Sequence, residues 1–264
     1  MTFFKFRSPL KEFTTSYDVS CALQDKNYKI RMAAMQSAYV MPEHISQALK
    51  DKNKQVRRIA IQHPKATSKH ITEALKDISE WVRITAIQHP NATPEHISQA
   101  LKDNYYRVRE TAIKHPKATP EHISQALKDK DYYVRAAAIR HSNVTPEHIF
   151  KALKDVSYYV RLTAIKHFKV TFQHISYALQ DKDIWVRATA ISHPKVTSYQ
   201  LQQALQDNSC QVRLAAIKHP KINFSHILIA LKDIDYQVRR KAQEMLNKLN
   251  GLQRAIIRKK YKIK

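Results

Sequence analysis

The motif A-L-(K/Q)-D starts at Ala22, Ala48, Ala74, Ala100, Ala126, Ala152, Ala178, Ala204 and Ala230, every 26 residues and without one insertion. A fixed period of about 20–50 residues is the signature of stacked repeats, in which a unit buries its apolar face only against its neighbours. Val-Arg or Ile-Arg follows each motif, from Ile30-Arg31 through Val82-Arg83 to Val238-Arg239. Nine copies cover residues 15–250, which reads as a single helical-repeat domain over 1–250 followed by a basic tail over 251–264.

Residues 77–102 show what one copy encodes. Ser79 is placed to cap a first helix, and Glu80 suits the positive end of its dipole. Val82, Thr85, Ala86 and His89 share one helical face, with Ile87 flanking it. His89-Pro90 stops this helix, because proline pushes the preceding residue out of the α region. Thr93 then caps a second helix, with Pro94 at its first position. Ile97, Ala100 and Leu101 form the second apolar stripe. Each helix has room for about three turns, too few to stand alone. Stacking predicts an all-α solenoid of nine two-helix units, roughly 80–90 Å long at 9–10 Å per layer.

Composition closes off other folds. The chain has 264 residues and one glycine, where roughly 18 are usual. Gly-rich phosphate loops, dinucleotide fingerprints and tight hairpins cannot be built from it. That glycine, Gly251, follows Asn250 where a last helix would want its C-terminal cap. No apolar run is long enough to cross a bilayer, and the N-terminal stretch is broken by charge. Two cysteines, Cys21 and Cys210, make no disulfide framework and suit a reducing, cytoplasmic setting. Seven units apart, they are expected not to bridge within one chain.

The D-x-x-x-x-V-R spacing after A-L resembles HEAT-type repeats. The A-x-H-P-x-A-T-P-E-x-(I/L) stretch, with its short period, resembles the leucine-rich repeat variant family more closely. The resemblance covers about nine-tenths of the chain. It implies a right-handed superhelix that pairs an α-helix with a shorter helical segment in each unit. It implies little about function. Some members hold an iron–sulfur centre on a cysteine cluster, which this sequence does not have. In HEAT-like repeats the Asp and Arg of the motif form a ladder tying turns to helices, so a pair such as Asp77 with Arg83 reads as structure rather than as a ligand site.

The 14 histidines occupy two slots, the one before proline (His63, His89) and the one after P-E (His44, His96). A residue present in nearly every unit answers a need of every unit, so no metal site and no cofactor are expected from them. Their joint protonation below about pH 6.5 would add charge to an already basic chain. Carboxylates that break the repeat are few, and no nucleophile–base set can be assembled from them. HEAT-like alkylpurine DNA glycosylases use aromatics and a carboxylate on a basic face. Trp81, Trp185 and Glu110 are the nearest candidates here, without a family motif behind them.

The net charge is +24, from 46 Lys+Arg and 22 Asp+Glu. Such an excess points to a polyanionic partner. Half of it lies in two stretches: residues 51–76, with Lys52, Lys54, Arg57, Arg58, Lys65, Lys69 and Lys76, and residues 233–264, whose tail carries Arg254, Arg258, Lys259 and Lys260. The slot before the repeat Val reads Trp81, Arg107, Tyr133, Tyr159 and Trp185 in the middle units. Seven residues further on lie Lys114, Arg140, Lys166 and Lys218, on the same helical face. Aromatic rings interleaved with cations suit single-stranded nucleic acid, by stacking and phosphate contact. Tyr28, Tyr106, Tyr132, Tyr158 and Tyr236, one place earlier, are expected to pack inward. The expectation is a non-enzymatic scaffold that binds nucleic acid, DNA or RNA. The alternatives are a protein–protein scaffold for an acidic partner and, third, a glycosylase.

Overall fold

The computed structural model describes residues 13–248, which divide into two compact units, 13–143 and 144–248. The first holds α1 (Ser16–Ala22), α2 (Tyr28–Ala34), α3 (Pro42–Ala48), α4 (Lys54–Gln62), α5 (Ser68–Ala74), α6 (Glu80–Ile87), α7 (Pro94–Ala100), α8 (Tyr106–Ile113), α9 (Pro120–Ala126) and α10 (Tyr132–Ile139). The second holds α11 (Pro146–Ala152), α12 (Tyr158–Ile165), α13 (Phe172–Ala178), α14 (Ile184–Ile191), α15 (Ser198–Ala204), α16 (Cys210–Ile217), α17 (Phe224–Ala230) and α18 (Tyr236–Asn247). No strand occurs among the described residues. The chain has an all-α, solenoid-like repeat fold. Even-numbered helices pack side by side, α2 to α10 in the first unit and α12 to α18 in the second, and odd-numbered helices pack onto them. Both cysteines are free and exposed.

The helices are shorter than their spacing suggests. α7 has 7 residues and α6 has 8, about two turns each. The apolar pair A-L ends α7 early: Leu101 is its C-cap, and the chain tightens into three-residue turns, Lys102 N–H to the Gln99 carbonyl and Asp103 N–H to that of Ala100, both 3.1 Å. Every C-cap among the described helices has negative φ. Leucine takes the C-cap of every odd-numbered helix described. The Asn250-Gly251 cap lies outside the described residues. Val82, Ala86, Ile87, Ala92, Ile97, Ala100 and Leu101 make the core of one repeat, all but fully buried. Each large one contributes about 1.5–3 kcal/mol on burial.

Three polar devices join neighbouring repeats. The first is a ladder of buried ion pairs. Arg83 donates from Nε and Nη2 to Asp103 at 2.6 and 3.0 Å, while its Nη1 holds the carbonyls of Asp77 and Ile78. Arg83 thus grips Asp77 only through its backbone, and its ion-pair partner is the aspartate of the next repeat. Arg31–Asp51, Arg57–Asp77, Arg109–Asp129, Arg161–Asp181, Arg187–Asp207 and Arg213–Asp233 repeat the geometry. Each aspartate also accepts the N–H two residues on, as Asp103 does from Tyr105 at 2.8 Å. Burial pushes the carboxyls of Asp51, Asp207 and Asp233 up, but the arginine and that N–H outweigh it and hold them below the usual range.

The second device explains the histidines. In the slot after P-E, His122 Nδ1 accepts the Thr119 N–H at 3.1 Å, closing the N-cap of α9. With Nδ1 accepting, Nε2 carries the proton and donates to Ser98 Oγ in the preceding repeat, at 2.7 Å. His44, His70 and His96 do the same with Ser20, Ser46 and Thr72. Asp18 takes the N3 position in α1, where its carboxylate accepts from Thr14 and Thr15. Gln200 fills it in α15, with Oε1 accepting from Thr197 and Nε2 donating to Ser176. In the slot before proline, His89 Nδ1 accepts the Asn91 N–H and Nε2 donates to the His63 carbonyl. Burial lowers the imidazoles of His44, His63, His70, His96, His115, His122, His174, His193 and His219 below the ordinary value. For these nine the gain of charge expected below about pH 6.5 is displaced to lower pH, because burial disfavours the charged ring.

The third device consumes lysines. Lys117 Nζ donates to the carbonyls of Pro90 and Ala92, at 2.8 and 2.9 Å. Lys65 and Lys195 make the same two-carbonyl clamp, and Lys169 and Lys221 reach the carbonyls of Val144 and Val196. Asn91 and Asn143 replace it with an amide, to the Ala66 and Ala118 carbonyls.

Candidate nucleic-acid interface

The fold sorts the cations. In the stretch 51–76, Arg57 belongs to the ladder and Lys65 to a carbonyl clamp, so neither is available to a ligand. Lys52, Lys54, Arg58, Lys69 and Lys76 remain exposed. Lys54 and Arg58 stand one turn apart on α4, four residues being one helical turn. Trp81 stands on the first turn of α6, the next helix of that layer, and 44% of it is exposed. Lys54, Gln55, Arg58 and Trp81 line one groove of about 230 Å³. Two cations and an indole face are thereby brought together from positions 27 residues apart in the chain. Lys52 lies in the preceding turn and does not line the groove.

The second unit holds a wider groove of about 630 Å³ between α14 and α16. Trp185, 56% exposed, lies on its α14 side and Lys218 on its α16 side. Ala188, Leu214 and Ala215 make part of its lining apolar. Gln55 and Gln211, which line the two grooves, occupy the same slot of their repeats as the tryptophans. Their type gave no signal in the sequence, although their slot did.

The other residues of the aromatic–basic row are used differently. Tyr133 is 44% exposed but stacks on Tyr106, ring centroids 6.0 Å apart, and on Tyr132 at 4.2 Å. Arg107 turns onto the same cluster, donating from Nε to the Tyr106 hydroxyl at 3.2 Å. Lys114 is ion-paired with Glu110 at 2.5 Å. Arg140 and Lys166 are exposed, and Tyr159 is half-buried. Tyr132, Tyr158 and Tyr236 do not pack inward as their slot suggested. All three are exposed, whereas Tyr28 and Tyr106 in the same slot are half-buried. Arg254, Arg258, Lys259 and Lys260 lie outside the described residues. No group of three metal-ligating side chains converges among the described residues, and no described helix is long and apolar enough to cross a membrane.

No family model matches the chain, and no curated protein is similar to it in sequence. Similarity in fold is found to a solved structure. A leucine-rich repeat variant, described as having a novel repetitive structural motif, aligns over 84% of this chain and 87% of its own, with 23% identity and a TM-score of 0.67. A homology model of the full-length AP-3 complex covers 94% of this chain and 53% of that one, at 15% identity and TM-score 0.42. The X-ray structure of YibA from Escherichia coli covers 88% and 92%, at 21% identity and TM-score 0.33. The first of these supports the repeat fold and says nothing of a ligand.

Proposed function

We propose that this helical-repeat scaffold is a non-catalytic, cytoplasmic binder of single-stranded nucleic acid. The observation that carries the reading is the groove of Lys54, Arg58 and Trp81. A flat indole offers a stacking face to any base, and two cations one turn apart offer phosphate contacts. Neither cation has an acidic partner among the described residues, so neither contact requires an ion pair to be broken. The groove of Trp185 and Lys218 supplies a similar pairing in the second unit. Recognition by stacking and phosphate contact is tolerant of sequence. The near-identity of the repeats agrees with that, since helical readers of a base code vary two or three side chains per unit.

A non-catalytic role is supported by Glu110. It is the carboxylate that a glycosylase reading would use, and it is ion-paired with Lys114 one turn on. A protein-binding reading has one observation in its favour: Ile78, Val156 and Ile234 project from the turns almost fully exposed.

Tryptophan fluorescence separates the readings, because the chain has two tryptophans only. In a Trp185→Phe variant, oligothymidylate is expected to quench Trp81, and a duplex of equal length to quench it much less. Binding without quenching would remove the stacking role. No binding to either at low salt would remove the nucleic-acid reading and leave the protein scaffold.

A further inference from the structure

The ladder has an open end. Seven of its arginines hold the aspartate 20 residues ahead with Nε and Nη2. Arg239 is built like them on one side. Its Nη1 donates to the carbonyls of Asp233 and Ile234, both at 2.7 Å, which fixes the plane of the guanidinium. On the other side no carboxylate meets it among the described residues. The position 20 residues ahead is Lys259, and residues 249–264 contain no aspartate or glutamate. Arg240 and Lys241 beside it share Glu244. Arg239 is thus half-buried, oriented, and left with a two-pronged donor edge that its seven counterparts use for an oxyanion.

The end face decides between occupants. The mirror-image group is Asp25 at the start of the ladder, which among the described residues has no arginine and accepts only the Asn27 N–H. A second copy offering Asp25 would continue the stack. But Arg240, Lys241 and Gln243 stand where the interior repeat carries Ile84, Thr85 and Ile87. A further repeat would have to bury the Lys241 ammonium and the Gln243 amide there, where Thr85 and Ile87 are buried, and stacking does not favour that. The sequence that follows is cationic, with six Lys+Arg and no acid over residues 249–264. A small, strongly charged oxyanion suits it better than a packed helix pair.

We infer that the free edge of Arg239 is a bidentate phosphate site, closing on one backbone phosphate of the nucleic acid where the other ladder arginines close on aspartate. This rests on the nucleic-acid reading above but uses a different residue, in a different place, from the Trp81 groove. Arginine matters here for its fork and not only its charge, so lysine is a poor substitute.

The test uses the full chain with isotope-labelled arginine side chains. Inorganic phosphate is titrated while the Nε–H resonances are followed by NMR, the Arg239 signal being identified by its loss in Arg239→Lys. The expected result is that Arg239 moves saturably while the seven paired ladder arginines stay still. No movement, or equal movement of all exposed arginines, overturns the site. Movement with an oligo-aspartate peptide but not with phosphate also overturns it, in favour of an acidic protein partner. So does self-association that vanishes in Asp25→Ala, which would put a second copy in the fork. In parallel, a single-stranded oligonucleotide is expected to bind Arg239→Lys roughly tenfold more weakly than the parent chain. Because charge is kept, the salt dependence should be unchanged. Equal affinity of the two chains would refute the fork and leave the nucleic-acid reading standing. Absence of oligonucleotide binding, with the phosphate shift still present, would remove that reading and keep Arg239 as an oxyanion site.

Discussion

Removing Asp103 should be far more damaging than removing Asp25, although the two occupy the same place in their repeats. Asp103 accepts a bidentate pair from Arg83 and the N–H of Tyr105, and both side chains of the pair are about nine-tenths buried. Asp103→Ala strands the charged edge of Arg83 in the interior. Leaving one partner of a buried pair uncompensated costs about 3–5 kcal/mol. Asp25→Ala loses one hydrogen bond, to Asn27, and no ion pair, so about 0.5–1.5 kcal/mol is expected. The difference, about 3 kcal/mol, is large against the whole stability of a domain. Removing both charges is a sharper perturbation than removing one. Replacing a buried pair by apolar residues of similar size is often neutral, so Arg83→Met combined with Asp103→Ala should regain most of the loss. Urea unfolding of the parent, the two single variants and the double variant completes the cycle. Losses that simply add in the double variant would refute the coupling of Arg83 to the next repeat's aspartate. So would equal losses for Asp103→Ala and Asp25→Ala.

Acid should weaken the fold through its histidines. The folded values of His70, His96 and His122 lie below the unfolded one because burial disfavours the charged ring, so the unfolded chain binds more protons as the pH falls below about 6.5, and stability falls with it, by up to about 1.4 kcal/mol per pH unit for each of them. Urea midpoints at pH 7.5, 6.5 and 5.5 should decline in that order, and a flat profile would exclude the capping role. His122→Gln should keep the cap, as Gln200 does, while making the decline shallower. Lys117→Ala should cost about 1–3 kcal/mol, since the Pro90 and Ala92 carbonyls lose a charged donor, whereas Lys117→Asn, the residue natural at 91 and 143, should recover much of it. Thermal unfolding of the two variants checks this, and equal melting would show that the clamp is idle. Trp81→Ala should weaken single-strand binding by about 1–3 kcal/mol without changing its salt dependence. Titration at two ionic strengths would show any departure from that.

Much of the fold could be read in advance, and the reason the rest could not lies in the repetition itself. The 26-residue period and the side-chain caps at Asp131, Asp183 and Asp235 stand in the structure as the sequence suggests, whereas Ser79 and Thr93 hold the N-cap positions of α6 and α7 without a side-chain cap hydrogen bond. In a strict repeat, however, a contact is defined only up to a multiple of 26. Arg83 stands six residues after Asp77 and 20 before Asp103, and spacing alone cannot choose between them. The same ambiguity hid the histidine and lysine links to the preceding repeat. These links need three-dimensional stacking to exist, and nothing in one unit encodes their target. The candidate grooves were legible where a residue breaks the pattern, as Trp81 and Trp185 do. The rest was illegible where exposure depends on a neighbour, as with Tyr133 against Tyr106 or Lys114 against Glu110.

The most direct measurement is the affinity of the intact chain for a fluorescent single-stranded oligonucleotide from about 50 to 300 mM salt, beside a Lys54→Ala, Arg58→Ala double variant. Phosphate contact predicts tight binding at low salt and a steep linear fall of log affinity with log salt. The double variant should bind more weakly, with a slope lower by about 1.4 for two lost phosphate contacts on a single strand. A parent chain that fails to bind at the lowest salt, or whose affinity ignores salt, would contradict the phosphate-binding role outright.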